Sequence, residues 1–219
     1  MTKESVLPLL VGFTIVTGFV DAVSYLKLGH VFVANMTGNI VFLGFAFGGA
    51  PDISIVGSIV ALGAFLAGAV LGGRFATQFG AIPKELILVS AGTKVLFIGV
   101  ACIMAFLVAN VYMAPYLIIA LLGAAMGVQN AMARKLAIPD FTTTVLTLTL
   151  TGIAADSRLA GGVNPRLFRR ASAVLTMFAG ALAGAFVVLR YGVAIALLCA
   201  TLIVVAIFIR AWTLPDRIA

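Results

Sequence analysis

The chain has 219 residues, 63% of them hydrophobic and only 10% charged, with a formal net charge of +7. A mean hydropathy of +1.23 leaves too little polar surface for a water-soluble domain of this size. Apolar runs follow one another with short connections, so the composition points to an all-α integral membrane protein forming a single membrane domain. The basic residues cluster at the ends of apolar runs without interleaved aromatics, which argues against nucleic acid as a partner.

Eight apolar segments run along the chain: Ser5–Lys27, Val31–Ala50, Ile53–Thr77, Leu86–Ala109, Ala114–Arg134, Thr142–Ala155, Phe168–Leu189 and Val193–Trp212. The first, beginning beside Lys3 and Glu4 with no small-x-small cleavage site after it, reads as a retained helix. The sixth has fourteen residues, of which six are threonine, and is short for a span. Cys102 and Cys199 both lie within apolar runs and read as small packing residues. Lone His30 reads as an interfacial loop residue.

Residues 111–219 look like a second copy of residues 1–110. Aligning Gly18 with Gly127 places Asp21 on Asn130 and Ala22 on Ala131. After one inserted residue, Met36-Thr37 falls on Leu146-Thr147, and further on Gly68 and Gly72 match Gly180 and Gly184. The spacings Gly44-x-x-x-Gly48, Gly68-x-x-x-Gly72, Gly123-x-x-x-Gly127 and Gly180-x-x-x-Gly184 suit close helix approach inside one bundle, with a homo-oligomer as the other use of such faces.

Charge distribution selects a topology. If all eight segments span, seven Lys or Arg lie on one side and six on the other, with no bias. If segments two and six dip in and return, Lys3, Arg74, Lys84, Arg134, Lys135, Arg158, Arg166, Arg169, Arg170, Arg210 and Arg217 share one side, leaving only Lys27 and Arg190 opposite. A spanning second segment with a dipping sixth scores equally well. The duplication favours treating both halves alike, which gives six transmembrane helices plus two re-entrant or broken segments, an inverted 3+3 repeat with both termini cytoplasmic. In that arrangement the cluster Arg166, Arg169 and Arg170 fixes orientation and touches anionic membrane lipid.

The costly groups of residues 17–44 then have a purpose. A re-entrant segment exposes backbone that lipid cannot satisfy and must line a wet cavity or be buried in protein. Gly38 is expected to supply a turn, and Thr37 or Asn39 to cap a half-helix starting there. Asn35 adds a polar contact, and Thr144 and Thr147 approach from the sixth segment. Asp21 is expected either to titrate within a transport cycle, with Arg134 or Lys94 as partner, or to hydrogen-bond a neighbouring helix near the interface. Gln129 and Asn130 hold the corresponding place in the second half, as site residues or as interhelical glue.

Gly18, Asp21, Ala22, Gly29, Phe32 and the run Met36-Thr37-Gly38-Asn39, followed by Gly127, Gln129, Asn130, Ala131, Thr143-Thr144 and Thr147-x-Thr149, make the chain resemble the YoaK-like family of bacterial membrane proteins. The resemblance covers nearly the whole chain. It implies a bacterial inner-membrane location and imports no substrate. Members often carry glycine where this chain has Leu148.

The expected function is a small secondary transporter or channel-like permease with a polar site near the membrane midplane, acting on a small solute or ion. The alternative is a non-transporting membrane scaffold or assembly subunit. No metal-ligand set, Ser/His/Asp array, paired catalytic carboxylates or phosphate loop occurs, so neither an enzyme nor a bound cofactor is expected.

Overall fold

The computed structural model describes residues 3–107, 111–137, 146–164 and 166–214. Among the described residues every regular element is helical: α1 Lys3–Lys27, α2 Met36–Phe47, α3 Ile55–Phe79, α4 Pro83–Leu107, α5 Ala114–Leu136, α6 Thr147–Ala155, a 3-10 turn Arg158–Ala160, and α7 Leu167–Trp212. Five of these are long and apolar enough to cross a membrane. Leucines such as Leu66, Leu182 and Leu202 stand outward without cover, as a bilayer allows and water does not.

Element boundaries follow local chemistry. Ser54 caps α3 by accepting from the Gly57 amide at 2.9 Å. α5 carries proline in its first turn, where the missing N–H is harmless, and ends at Ala137 in the left-handed region. At 1.5 Å per residue, α7 as one rod would measure about 69 Å, more than twice the ~30 Å hydrocarbon core. Gly192, at φ 84° and ψ 177°, breaks it into limbs 167–191 and 193–212. Only glycine reaches that conformation without strain. The two segments expected there are thus joined directly through one non-helical residue.

The second apolar segment differs more from expectation. Helix begins only at Met36, and the preceding residues 28–35 are non-helical. Twelve residues give α2 about 18 Å of length, and nine give α6 about 14 Å, both well short of the bilayer core.

Glycine sets the main helix pairings. A methyl group on Gly18 would collide with the backbone of Met177 and Ala181 on α7; one on Gly127 would collide with Phe65 and Ala69 on α3. Gly180 and Gly184 press on Ile15 and Phe19 of α1, while Gly68 and Gly72 press on Ala124 and Val128 of α5. Residue numbers rise together in both pairs, so α1 runs parallel to the first limb of α7 and α3 parallel to α5. Gly92 meets Phe208, Gly99 meets Thr201, and Cys102 lies 3.6 Å from the Ala194 carbonyl, so α4 and the second limb are antiparallel. Gly44, by contrast, faces open space and packs on nothing. Thr14, Thr17, Thr93 and Thr201 return their hydroxyls to carbonyls four residues earlier, which keeps them satisfied in an apolar interior.

Candidate functional site

After Lys27 the chain reverses through Gly29 and His30, both at positive φ, and residues 31–34 fold back beside the end of α1. His30 Nδ1 lies 2.9 Å from the Asp52 carbonyl, and the Ser54 amide donates to Gly29, tying this turn to the entry of α3. Val31, Val33 and Ala34 are buried. Their non-helical backbone has no ladder of its own, so side chains must supply its partners.

Three do so. Asp21 Oδ1 accepts from the amides of Val33 at 2.8 Å and Ala34 at 2.9 Å. Asn39 accepts from the Phe32 amide at 2.8 Å and donates to the Phe32 carbonyl at 2.6 Å. Asn35 accepts from the Gly38 amide at 3.3 Å and is the N-cap of α2. Because Asp21 precedes the end of α1 by six residues, the loop reaches about 9 Å down that helix. The Phe32 ring stacks on Tyr25 at 5.1 Å and on Phe42 at 5.6 Å, joining α1, loop and α2.

This corrects the expected roles within the Met36-Thr37-Gly38-Asn39 run. The half-helix starts at Met36 with Asn35 as its cap, so neither Thr37 nor Asn39 caps it. Gly38 lies in the first turn and makes no chain reversal. Its lack of a side chain leaves room for Phe32, whose ring would stand 2.8 Å from a Cβ placed there.

The starts of α2 and α6 face one another across a cavity of about 300 Å³ lined by Asn35, Thr37, Gly38, Val41, Phe42, Leu146 and Thr147. Leu146 occupies the N-cap position of α6 and offers no side-chain acceptor, so no side chain caps that turn. Thr149 is buried, and Thr151 returns its hydroxyl to the Thr147 carbonyl at 2.9 Å. Thr144 lies outside the described residues, as do Thr142 and Thr143. The far end of α6 is clamped by Arg170, which donates to the Gly152 carbonyl at 2.6 Å and to Asp156 at 2.7 Å. A cation on the last carbonyls also suits the helix dipole. Of the arginines assigned to orientation and lipid, this one holds a half-helix in place.

The remaining expected site residues lie elsewhere. Asp21 borders a 260 Å³ groove with Gly18, Ala22, Tyr25, Leu26, Phe32, Met177 and Ala181. Asn130 donates to the Met126 carbonyl at 3.1 Å and borders a 680 Å³ groove with Phe65, Ala69, Gly73, Ala76, Ala131, Arg134 and Lys135. Gln129 is fully buried, donates to Thr17 at 2.8 Å and accepts from Lys94. Lys94 is therefore bonded to Gln129, and Oδ1 of Asp21 is taken by two backbone amides. Lys94 thus does not serve as the partner expected for Asp21, and its place in the middle of an apolar run is the sequence signal of a separate role.

Residues 9–209 match a family described as Protein of unknown function (DUF1275). The UPF0700 transmembrane protein YoaK of Bacillus subtilis (strain 168) is 37% identical over 142 residues, which is 64% of this chain and 61% of that relative. The alignment thus spans less than two thirds of the relative's length. No solved structure matches. With its long apolar helices and its transmembrane relative, the chain is a multi-pass membrane protein belonging to the DUF1275 family.

Proposed function

We propose that this protein is a small secondary transporter or channel-like permease, with its polar site where α2 and α6 begin. The observation that carries this reading is the cavity between those two short helices. The first-turn amides other than that of Gly38, which Asn35 takes, together with the hydroxyls of Thr37 and Thr147, can replace the hydration of a small solute or ion. Both positive helix ends favour a solute with negative charge or acceptor groups.

The architecture that fits is the inverted 3+3 repeat of six spanning helices and two re-entrant half-helices, counting the limbs of α7 separately. Gly18 and Gly127, matched in the duplication, have matched neighbours in Met177 and Phe65 and in Ala181 and Ala69. The two grooves beside Asp21 and Asn130 share six matched positions, with Tyr25 and Leu26 of one standing as Arg134 and Lys135 in the other. If the limbs of α7 on either side of Gly192 are two spans of opposite direction, the helix directions add a second argument. If α2 and α6 both spanned, α4 and the second limb would be parallel. If only one did, α1 and the first limb would be antiparallel. The positive-inside tendency then places both termini in the cytoplasm of a bacterial inner membrane. Lipid and a small solute or ion are the partners this reading requires.

The test is osmotic re-swelling of liposomes carrying the purified protein, followed by light scattering against chloride, nitrate, formate, acetate, urea and glycerol. At least one should enter faster than in protein-free liposomes, and Thr37→Val and Thr147→Val should each slow it several-fold. No entry above the protein-free rate, with a partner protein recovered on crosslinking instead, would support the scaffold reading.

A further inference from the structure

We infer that Lys94 is a proton-coupling site, taking up and releasing a proton as the pair formed by α1 and the first limb of α7 shifts against the pair formed by α3 and α5. Each pair is joined backbone to backbone through glycine, so each moves as a unit. Between them, α1 and α5 meet only sparingly. A directional chain crosses that seam: Lys94 donates to Gln129 of α5, Gln129 donates to Thr17 of α1 at 2.8 Å, and Thr17 donates to the Phe13 carbonyl at 2.9 Å.

Lys94 is fully buried and forms no ion pair among the described residues. Toward it α1 presents the Phe13 ring, 4.7 Å from Nζ, and the Thr17 hydroxyl; α5 presents Gln129. On its own helix Ser90, one turn back, has a buried hydroxyl with no partner among the described residues. The nearest acid along α1 is Asp21, one turn beyond Thr17, and its Oδ1 is occupied by Val33 and Ala34. The second limb of α7 packs on the opposite side of α4, at Gly92 and Gly99, and its only charged residue, Arg210, is exposed. α3 carries a single charge, the exposed Arg74.

A purely structural role does not account for a lysine here. An interhelical polar bond in a membrane contributes much less than placing an ammonium at the centre of a span costs. Methionine would fill the space without that cost. A charge whose surroundings change between two arrangements of the seam binds its proton differently in each, so pH biases the arrangement. The step is simple: an ammonium N–H bond breaks, the proton passes to water admitted to the open seam, and the neutral amine remains until a proton returns.

This inference rests on the two-pair architecture proposed above and requires no particular solute, so its test uses none. In a chain with Cys102 and Cys199 replaced by alanine, spin labels are placed at the exposed positions Val70 on α3 and Leu182 on α7. The distance distribution is measured in lipid nanodiscs from acid to alkaline buffer. The wild-type background should redistribute with pH, and Lys94→Met and Lys94→Gln should abolish the response. Two variants guard against misfolding of one. A pH response that survives both, one lost only in Asp21→Asn, or none in the wild-type background would overturn the inference. A response that depends on Lys94 in a protein passing no solute would uphold it while the transporter reading fell.

Discussion

Asn39 takes up both backbone hydrogen-bonding groups of Phe32, accepting from its amide at 2.8 Å and donating to its carbonyl at 2.6 Å. The side chain thereby gives a half-buried, non-helical residue the partners a sheet or helix would otherwise provide. Asn39→Ala should therefore destabilise the fold by roughly 1–3 kcal/mol for each orphaned group. Asn39→Asp keeps the acceptor and loses the donor, so its unfolding midpoint in nanodiscs should fall between the two. A midpoint for Asn39→Ala equal to wild type would show that water reaches Phe32 instead.

Asp21 offers a cleaner separation of roles. Asp21→Asn keeps an acceptor oxygen for Val33 and Ala34, whereas Asp21→Ala leaves both amides without one. The asparagine variant should stay within about 1 kcal/mol of wild type, and the alanine variant should lose about 1–3 kcal/mol per amide. Solute flux, once detected, should survive in the asparagine variant. Flux lost in a folded Asp21→Asn protein would return proton coupling to this carboxylate.

The glycine contacts differ in kind, and substitution should reveal it. Alanine at Gly68 or Gly180 drives a methyl group into the backbone of the facing helix. Overpacking of this sort costs about 1–3 kcal/mol. Gly44 faces open space, so Gly44→Ala should be neutral or slightly stabilising through its better helix propensity. Equal losses at all three positions, measured by thermal unfolding, would contradict the assigned packing.

Topology is open to a direct measurement. Single cysteines at the exposed positions Asp52 and Arg158, in the background lacking Cys102 and Cys199, should react with impermeant reagents from opposite faces of the membrane. Asp52 should be labelled from outside intact cells and Arg158 only after the inner face is opened. Labelling of both from one face would mean that one short helix crosses after all.

Several features were legible without coordinates because they are local. Hydropathy over some twenty residues marked the long helices, since lipid demands apolar side chains and satisfied backbone over that length. The concentration of Asp21, Asn35 and Asn39 in an apolar stretch marked the place where the backbone leaves the helix, because polar groups persist there only with work to do. The positions of the cap and the break were not legible. Asn35, Thr37 and Asn39 are all plausible caps in sequence, and only the seating of Phe32 between Tyr25 and Phe42 decides which residue faces which amide. The distant pairings depended wholly on the bundle. Gln129 reaches Thr17 across 112 positions of chain, and Lys94 reaches Gln129 across 35. No local pattern encodes such contacts, which arise only when glycine-lined helices settle at one separation and one register.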